Sequence, residues 1–123
     1  NAEDLICIFQ MLLNGGTWNG KRYLKSATIK AFTAWQKSPK NQRGLGFHKP
    51  NRDFKGGPTA NNVGLSTFGH TGFTGTAIWA DPETQLIYVF LSNRCYPDAY
   101  NPNLVRQNIR TDIQNDIYER LFD

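Results

Sequence analysis

The sequence predicts an α+β fold: an antiparallel sheet with N-terminal helices and a C-terminal helix, forming an α/β sandwich layer or the major part of one. Three observations predict it. Apolar residues recur at helical spacing near both ends of the chain, two runs rich in β-branched and aromatic residues lie at 76–80 and 86–92, and a Pro- and Gly-rich stretch at 37–62 separates the first helices from these strands. With 123 residues the chain fits one domain, 1–123, around a single core.

Leu5, Ile6, Ile8, Phe9, Leu12 and Leu13 recur at three- and four-residue spacing, which predicts a helix over 2–13 with one buried stripe. Asn1 suits its cap, and Glu3 and Asp4 suit its positive end. Asn14-Gly15-Gly16 ends it, because the left-handed terminus disfavours a Cβ. Asn19-Gly20 marks a turn, and Ser26 is the expected cap of a shorter helix carrying Ile29, Phe32 and Trp35. Cys7, between Ile6 and Ile8, reads as a small core residue.

Pro39, Pro50, Pro58, Gly44, Gly46, Gly56 and Gly57 make 37–62 mostly loop, with at most a brief strand at Gly44-Leu45-Gly46-Phe47 and a solvated His48. The runs at 76–80 and 86–92, broken by Asp81-Pro82-Glu83-Thr84, predict an antiparallel hairpin in which Trp79 is buried. Its second strand is apolar on both faces, which predicts a place in the sheet interior. Leu104, Ile109, Ile113, Ile117, Leu121 and Phe122 predict one final amphipathic helix.

The composition, 39% hydrophobic and 20% charged, can bury a core, and no apolar run approaches the roughly 18 residues of a membrane span. Cys7 and Cys95 are too few for a disulfide framework and, with only His48 and His70, for a zinc site, so neither metal nor cofactor is expected. Net charge is +4, with ten Lys and Arg residues between Lys21 and Lys55 against Asp53 alone. That segment reads as a solvated face and loop, or alternatively as a binding surface for an anionic polymer or partner domain. Aromatics are not interleaved as in a base-stacking surface, so nucleic acid is not the expected partner. A first residue of Asn1 marks the chain as an expected piece of a larger protein.

The most unusual string is Phe68-Gly69-His70-Thr71-Gly72-Phe73-Thr74-Gly75-Thr76, with three glycines in seven positions before a strand. Glycine at that density permits close approach to the backbone, as by a substrate carbonyl on an N–H, with His70 able to exchange a proton near neutrality. The same glycines also suit a tight turn with His70 merely exposed.

The run His70-Thr71-Gly72-Phe73-Thr74-Gly75-Thr76, followed by Ile78-Trp79, Asp81-Pro82 and 87–94, resembles the third motif box and following hairpin of the serine β-lactamase and penicillin-binding-protein superfamily. The likeness is to the branch of class C β-lactamases, D-alanyl-D-alanine carboxypeptidases and esterases. It extends to the opening helix with its Asn14-Gly15-Gly16 end, to Gly44-Leu45-Gly46-Phe47 and to the last helix. The resemblance implies that His70 supports the catalytic centre and the substrate carboxylate and that Thr71 offers a substrate-facing hydroxyl. It further implies that Gly72 clears the strand edge for an acyl group, and that the Phe73 backbone N–H is one of two oxyanion donors. Thr74 offers a further hydroxyl for substrate binding.

The family's other boxes are absent here. None of Ser26, Ser38, Ser66 and Ser92 has Lys at the fourth position, and no tyrosine begins a Tyr-x-Asn. The expectation is therefore one wall of an active site, inactive alone, from the C-terminal part of a larger β-lactamase-like domain whose nucleophile lies upstream in the parent chain. Residues 92–97 and 108–114 are similar to hydrolase domains that follow a family 3 glycoside hydrolase domain in bacterial envelope proteins. This implies a periplasmic or envelope location and peptidoglycan or a small acyl compound as substrate. Removal of the upstream part leaves the isolated chain with an apolar surface or strand edge through which it is expected to dimerise.

Overall fold

Order along the chain is α1 (Ala2–Leu13), β1 (Thr17–Trp18), β2 (Lys21–Arg22), α2 (Ser26–Thr33), β3 (Phe68–Thr71), β4 (Ala77–Asp81), β5 (Leu86–Phe90), α3 (Asn103–Arg106) and α4 (Ile109–Phe122). The computed structural model describes residues 1–36, 43–51 and 57–122. Ser38-Pro39-Lys40-Asn41 and the charged residues Lys37, Arg52, Asp53 and Lys55 lie outside the described residues.

The Asn1 side chain accepts from the Asp4 N–H at 3.0 Å, satisfying one orphan donor of the first turn of α1. Leu5, Phe9, Leu12 and Leu13 face the sheet, whereas Ile6 and Ile8 are exposed, so the predicted stripe is narrower than its apolar residues. Cys7 is correspondingly half-buried rather than core, lining a shallow apolar groove with Ile8, Met11, Trp18 and Tyr23. The Asn19-Gly20 turn joins β1 to β2, both residues at positive φ, which suits the right-handed twist of a two-residue hairpin. Ser26 is the first residue of α2, not its cap: Lys25 stands in the cap position and makes no side-chain cap bond. Trp35 lies beyond the helix, its indole Nε1 donating to the Leu65 carbonyl at 3.1 Å.

β3, β4 and β5 form an antiparallel sheet in that order. The predicted hairpin is β4–β5, but β4 is the central strand and β5 an edge among the described residues, which corrects the interior place expected for 86–91. Its two apolar faces are nevertheless both used. Ile87 and Val89 pack with Phe68, Ile78 and Ala80 against Phe9 of α1. On the opposite face Tyr88 and Phe90 pack with Ala77, Trp79 and Ile117 of α4. The two-residue alternation of a strand thus sends each set to a different helix. Phe9, Phe47 and Phe68 cluster at ring separations of 5.2–6.3 Å, and burying the Phe9 and Phe68 rings contributes about 2–3 kcal/mol each.

Gly44-Leu45-Gly46-Phe47 is a turn rather than a strand: the Gly44 N–H donates to the Phe47 carbonyl at 3.0 Å, and the bridges lie on either side, Arg43 to His48 and His48 to Gly69. The C-terminal helix is split, because Gln107 and Asn108 (φ 51°) interrupt it between α3 and α4. Its buried face also differs from the apolar pattern. Gln114 and Tyr118 are buried while Ile113, Leu121 and Phe122 are exposed, because Gln114 Oε1 accepts the Ala60 N–H at 2.9 Å and the Tyr118 hydroxyl donates to Asp81. Polar bonds to the loop and to the end of β4, not apolar area alone, seat this helix.

Candidate active site

β3 carries His70 and Thr71 to the strand end, and the chain turns through Gly72, Phe73, Thr74, Gly75 and Thr76 into β4. The turn is closed by bonds from the Gly72 N–H to the Thr76 carbonyl at 2.8 Å and from the Gly75 N–H to the Gly72 carbonyl at 3.0 Å. Gly75 is buried at φ 96°, where a Cβ would also run into Leu104 and Ser92, so the position requires glycine. A Cβ on Gly72 would meet the Thr76 hydroxyl.

His70, Thr71 and Gly72 line one groove of about 230 Å³, floored by Leu5, Ala77, Ile78 and Leu91. The structure therefore brings three of the five predicted residues together. Phe73 and Thr74 lie outside that lining, both exposed at the tip of the turn. The exposed His70 ring has Nδ1 2.8 Å from the Thr71 carbonyl. A carbonyl only accepts, so Nδ1 is the donor of this bond.

His48 is half-buried and stacked on His70, ring centroids 4.0 Å apart, which corrects the solvated histidine expected from the loop's composition. Its backbone pairs with Gly69 in both directions, by bonds of 2.8 and 3.2 Å, and this pairing is what delivers the ring to β3. Burial, then the neighbouring His70 and Arg43, pushes the His48 imidazole down to about 4. It is therefore neutral near pH 7, and its buried Nε2 has no partner among the described residues. Lys49 is also buried, donating to the Ser66 carbonyl at 2.7 Å, and burial lowers its ammonium to about 8. This member of the basic segment is thus structural rather than part of a cationic face.

The turn's carbonyls are bound from behind. Arg94 Nε donates to the Phe73 carbonyl at 2.7 Å, with its guanidinium 4.7 Å from the Phe73 ring. The Thr74 carbonyl accepts the Arg94 N–H at 2.9 Å and the Ser92 hydroxyl at 3.3 Å. Arg110 donates to the Gly75 and Thr76 carbonyls at 3.1 and 3.4 Å. The Phe73 N–H, by contrast, has no acceptor among the described residues. The roles of Arg94, Arg110 and His48 were missed by sequence reasoning, since these contacts span 21 to 35 residues and no local pattern announces them.

Comparison with known proteins bears on the family. A family model described as Beta-lactamase matches residues 1–110. A Salmonella typhi protein named "Putative D-alanyl-D-alanine carboxypeptidase" is 31% identical over 106 residues, covering 85% of this chain and 24% of the relative. An Escherichia coli (strain K12) protein of the same name is 32% identical over 103 residues, covering 83% and 23%. The chain spans about a quarter of the length of these curated relatives. Among the described residues no helix is long and apolar enough to cross a membrane. With a matching family model over most of its length and relatives bearing a carboxypeptidase name, the chain belongs to the β-lactamase family of serine hydrolases.

Proposed function

We propose that this chain is the C-terminal part of the α/β sandwich of a larger β-lactamase-like domain, and that it supplies the third-box wall of an acylating site. The nucleophilic serine, with its lysine and a tyrosine, lies in the upstream part of the same parent chain. The observation that supports this most is the turn at 72–76: its carbonyls are taken by Arg94, Ser92 and Arg110, while the Phe73 N–H, next in sequence to Gly72 of the His70 groove, has no acceptor among the described residues.

In this scheme the serine Oγ attacks the carbonyl carbon of a β-lactam, a D-Ala-D-Ala peptide or an ester. The negative charge that develops on the carbonyl oxygen is met by the Phe73 N–H, a donor of a kind that contributes about 3 kcal/mol to lowering the barrier. The C–N or C–O bond then breaks, the serine proton passes to the leaving group, and water hydrolyses the acyl ester to regenerate serine. His70 and Thr71 bind and orient the substrate's carboxylate, Gly72 leaves room for the acyl chain, and Thr74 contacts substrate from the tip. The relatives' names and the resemblance of the chain's ending to glycoside-hydrolase fusions support a periplasmic or envelope parent acting on peptidoglycan or small acyl compounds. The edge of β5 is where an upstream strand would add, or a second copy of the isolated chain.

A fluorescent penicillin incubated with the full-length parent tests the proposal. Covalent label on one upstream serine is expected. Absence of label under any condition would contradict it and favour a non-catalytic binding or assembly module using residues 21–55.

A further inference from the structure

Two guanidinium groups converge on the 72–76 turn, and neither has a carboxylate partner among the described residues. Arg94 bonds the Phe73 carbonyl through Nε and the Ala99 and Asn101 carbonyls at 3.3 and 3.4 Å through one terminal nitrogen. Its plane also lies against the Phe73 ring. Phe73 is therefore held at both its carbonyl and its side chain. The peptide that carries the Phe73 N–H is held from its other end as well, because the Gly72 carbonyl accepts from Gly75, whose own carbonyl is bound by Arg110. Both cations sit on the acceptor side of the turn, and the contact of Arg94 with the Phe73 carbonyl and ring fixes the residue whose N–H faces the other way.

We propose that Arg94 is a positioning residue for the oxyanion donor: by binding the carbonyl and ring of Phe73 it sets the orientation of that residue's N–H, with Arg110 bracing the far side of the turn. The proposal rests on the assignment of the Phe73 N–H as an oxyanion donor. It concerns acylation, not substrate affinity, because Arg94 touches the turn from behind and is absent from the lining of the His70 groove. Lysine cannot substitute, since one ammonium lacks the planar fork that reaches the Phe73, Ala99 and Asn101 carbonyls together.

Stopped-flow acylation of the full-length parent by the fluorescent penicillin tests it with Arg94→Lys and Arg94→Gln, the rate constant and the half-saturating concentration being read separately. Misplacing a catalytic group by about 1 Å can cost about 100-fold. A fall of that order in the acylation rate constant is expected in both variants, with the half-saturating concentration essentially unchanged. Amide hydrogen exchange on the same proteins is expected to show faster exchange at 73–76 and unchanged protection in β4. Wild-type acylation rates in both variants would overturn the role of Arg94 while leaving the oxyanion assignment standing. A fall accompanied by weakened half-saturation and lost β4 protection would overturn it too, showing only a structural arginine. An unlabelled wild-type parent would overturn the acylating function itself, and the role of Arg94 with it.

Discussion

The two ends of β4 are built from opposite backbone groups. At its start, groups from the C-terminal segment take the carbonyls of residues 73–76, and the Phe73 N–H has no acceptor among the described residues. At its finish, the buried Asp81 carboxylate takes N–H groups instead: Glu83 donates to it at 2.9 Å and Gly64 at 3.4 Å, and the Tyr118 hydroxyl adds a third bond at 2.9 Å. Burial and the adjacent Asp81 push the Tyr118 hydroxyl well above its usual range, so it remains a donor at every physiological pH. One end of the strand consumes its donors and is sealed; the other has its acceptors consumed and presents a donor. The same hairpin thus carries a structural turn and a chemical one, distinguished by which half of the peptide the side chains occupy.

The largest effect on this contrast is expected from Asp81→Ala, which leaves two N–H groups and a hydroxyl unpaired at a position only 1% exposed. The buried Tyr118 hydroxyl left without a partner costs roughly 1–3 kcal/mol, and the part-buried Gly64 and Glu83 N–H groups add less, so a loss of about 2 kcal/mol or more in urea unfolding of the parent is expected. Tyr118→Phe, which removes one bond and keeps the ring, is expected to cost about 1 kcal/mol. Neither should slow acylation by the folded fraction. Equal losses from the two variants would show that Asp81 does not gather the sealed end.

A smaller effect concerns the open end and pH. The unfolded His48 protonates near 6.5 and the folded one near 4, so between these values the unfolded chain binds a proton that the native chain refuses. The contribution is complete above about pH 6.5 and is lost as pH falls through 4. His48→Phe, which can keep the stack on His70 without a charge, is expected to flatten stability over that window. An unchanged slope in pH-jump unfolding would place the titration elsewhere.

Much of the fold could be read locally. The capped α1, the Asn19-Gly20 turn and the β4–β5 hairpin follow from spacing and turn chemistry within a few residues of each position. What could not be read depends on distant partners. The buried face of α4 is chosen by bonds from Gln114 and Tyr118 to residues 54 and 37 positions away, against its own apolar pattern. The same holds at the site, where Gly69, His70, Gly72 and Gly75 stand out in the sequence. His48 becomes part of it only because its backbone pairs with Gly69, and Arg94 and Arg110 only because the chain returns behind the turn.

The claim that the Phe73 N–H receives the developing negative charge is tested most directly by a crystal structure of the full-length parent trapped as its penicillin acyl-enzyme. The acyl carbonyl oxygen is expected within about 3 Å of the Phe73 nitrogen, with Arg94 still on the Phe73 carbonyl. An acyl oxygen bound by other donors, with the Phe73 N–H turned away, would contradict the account.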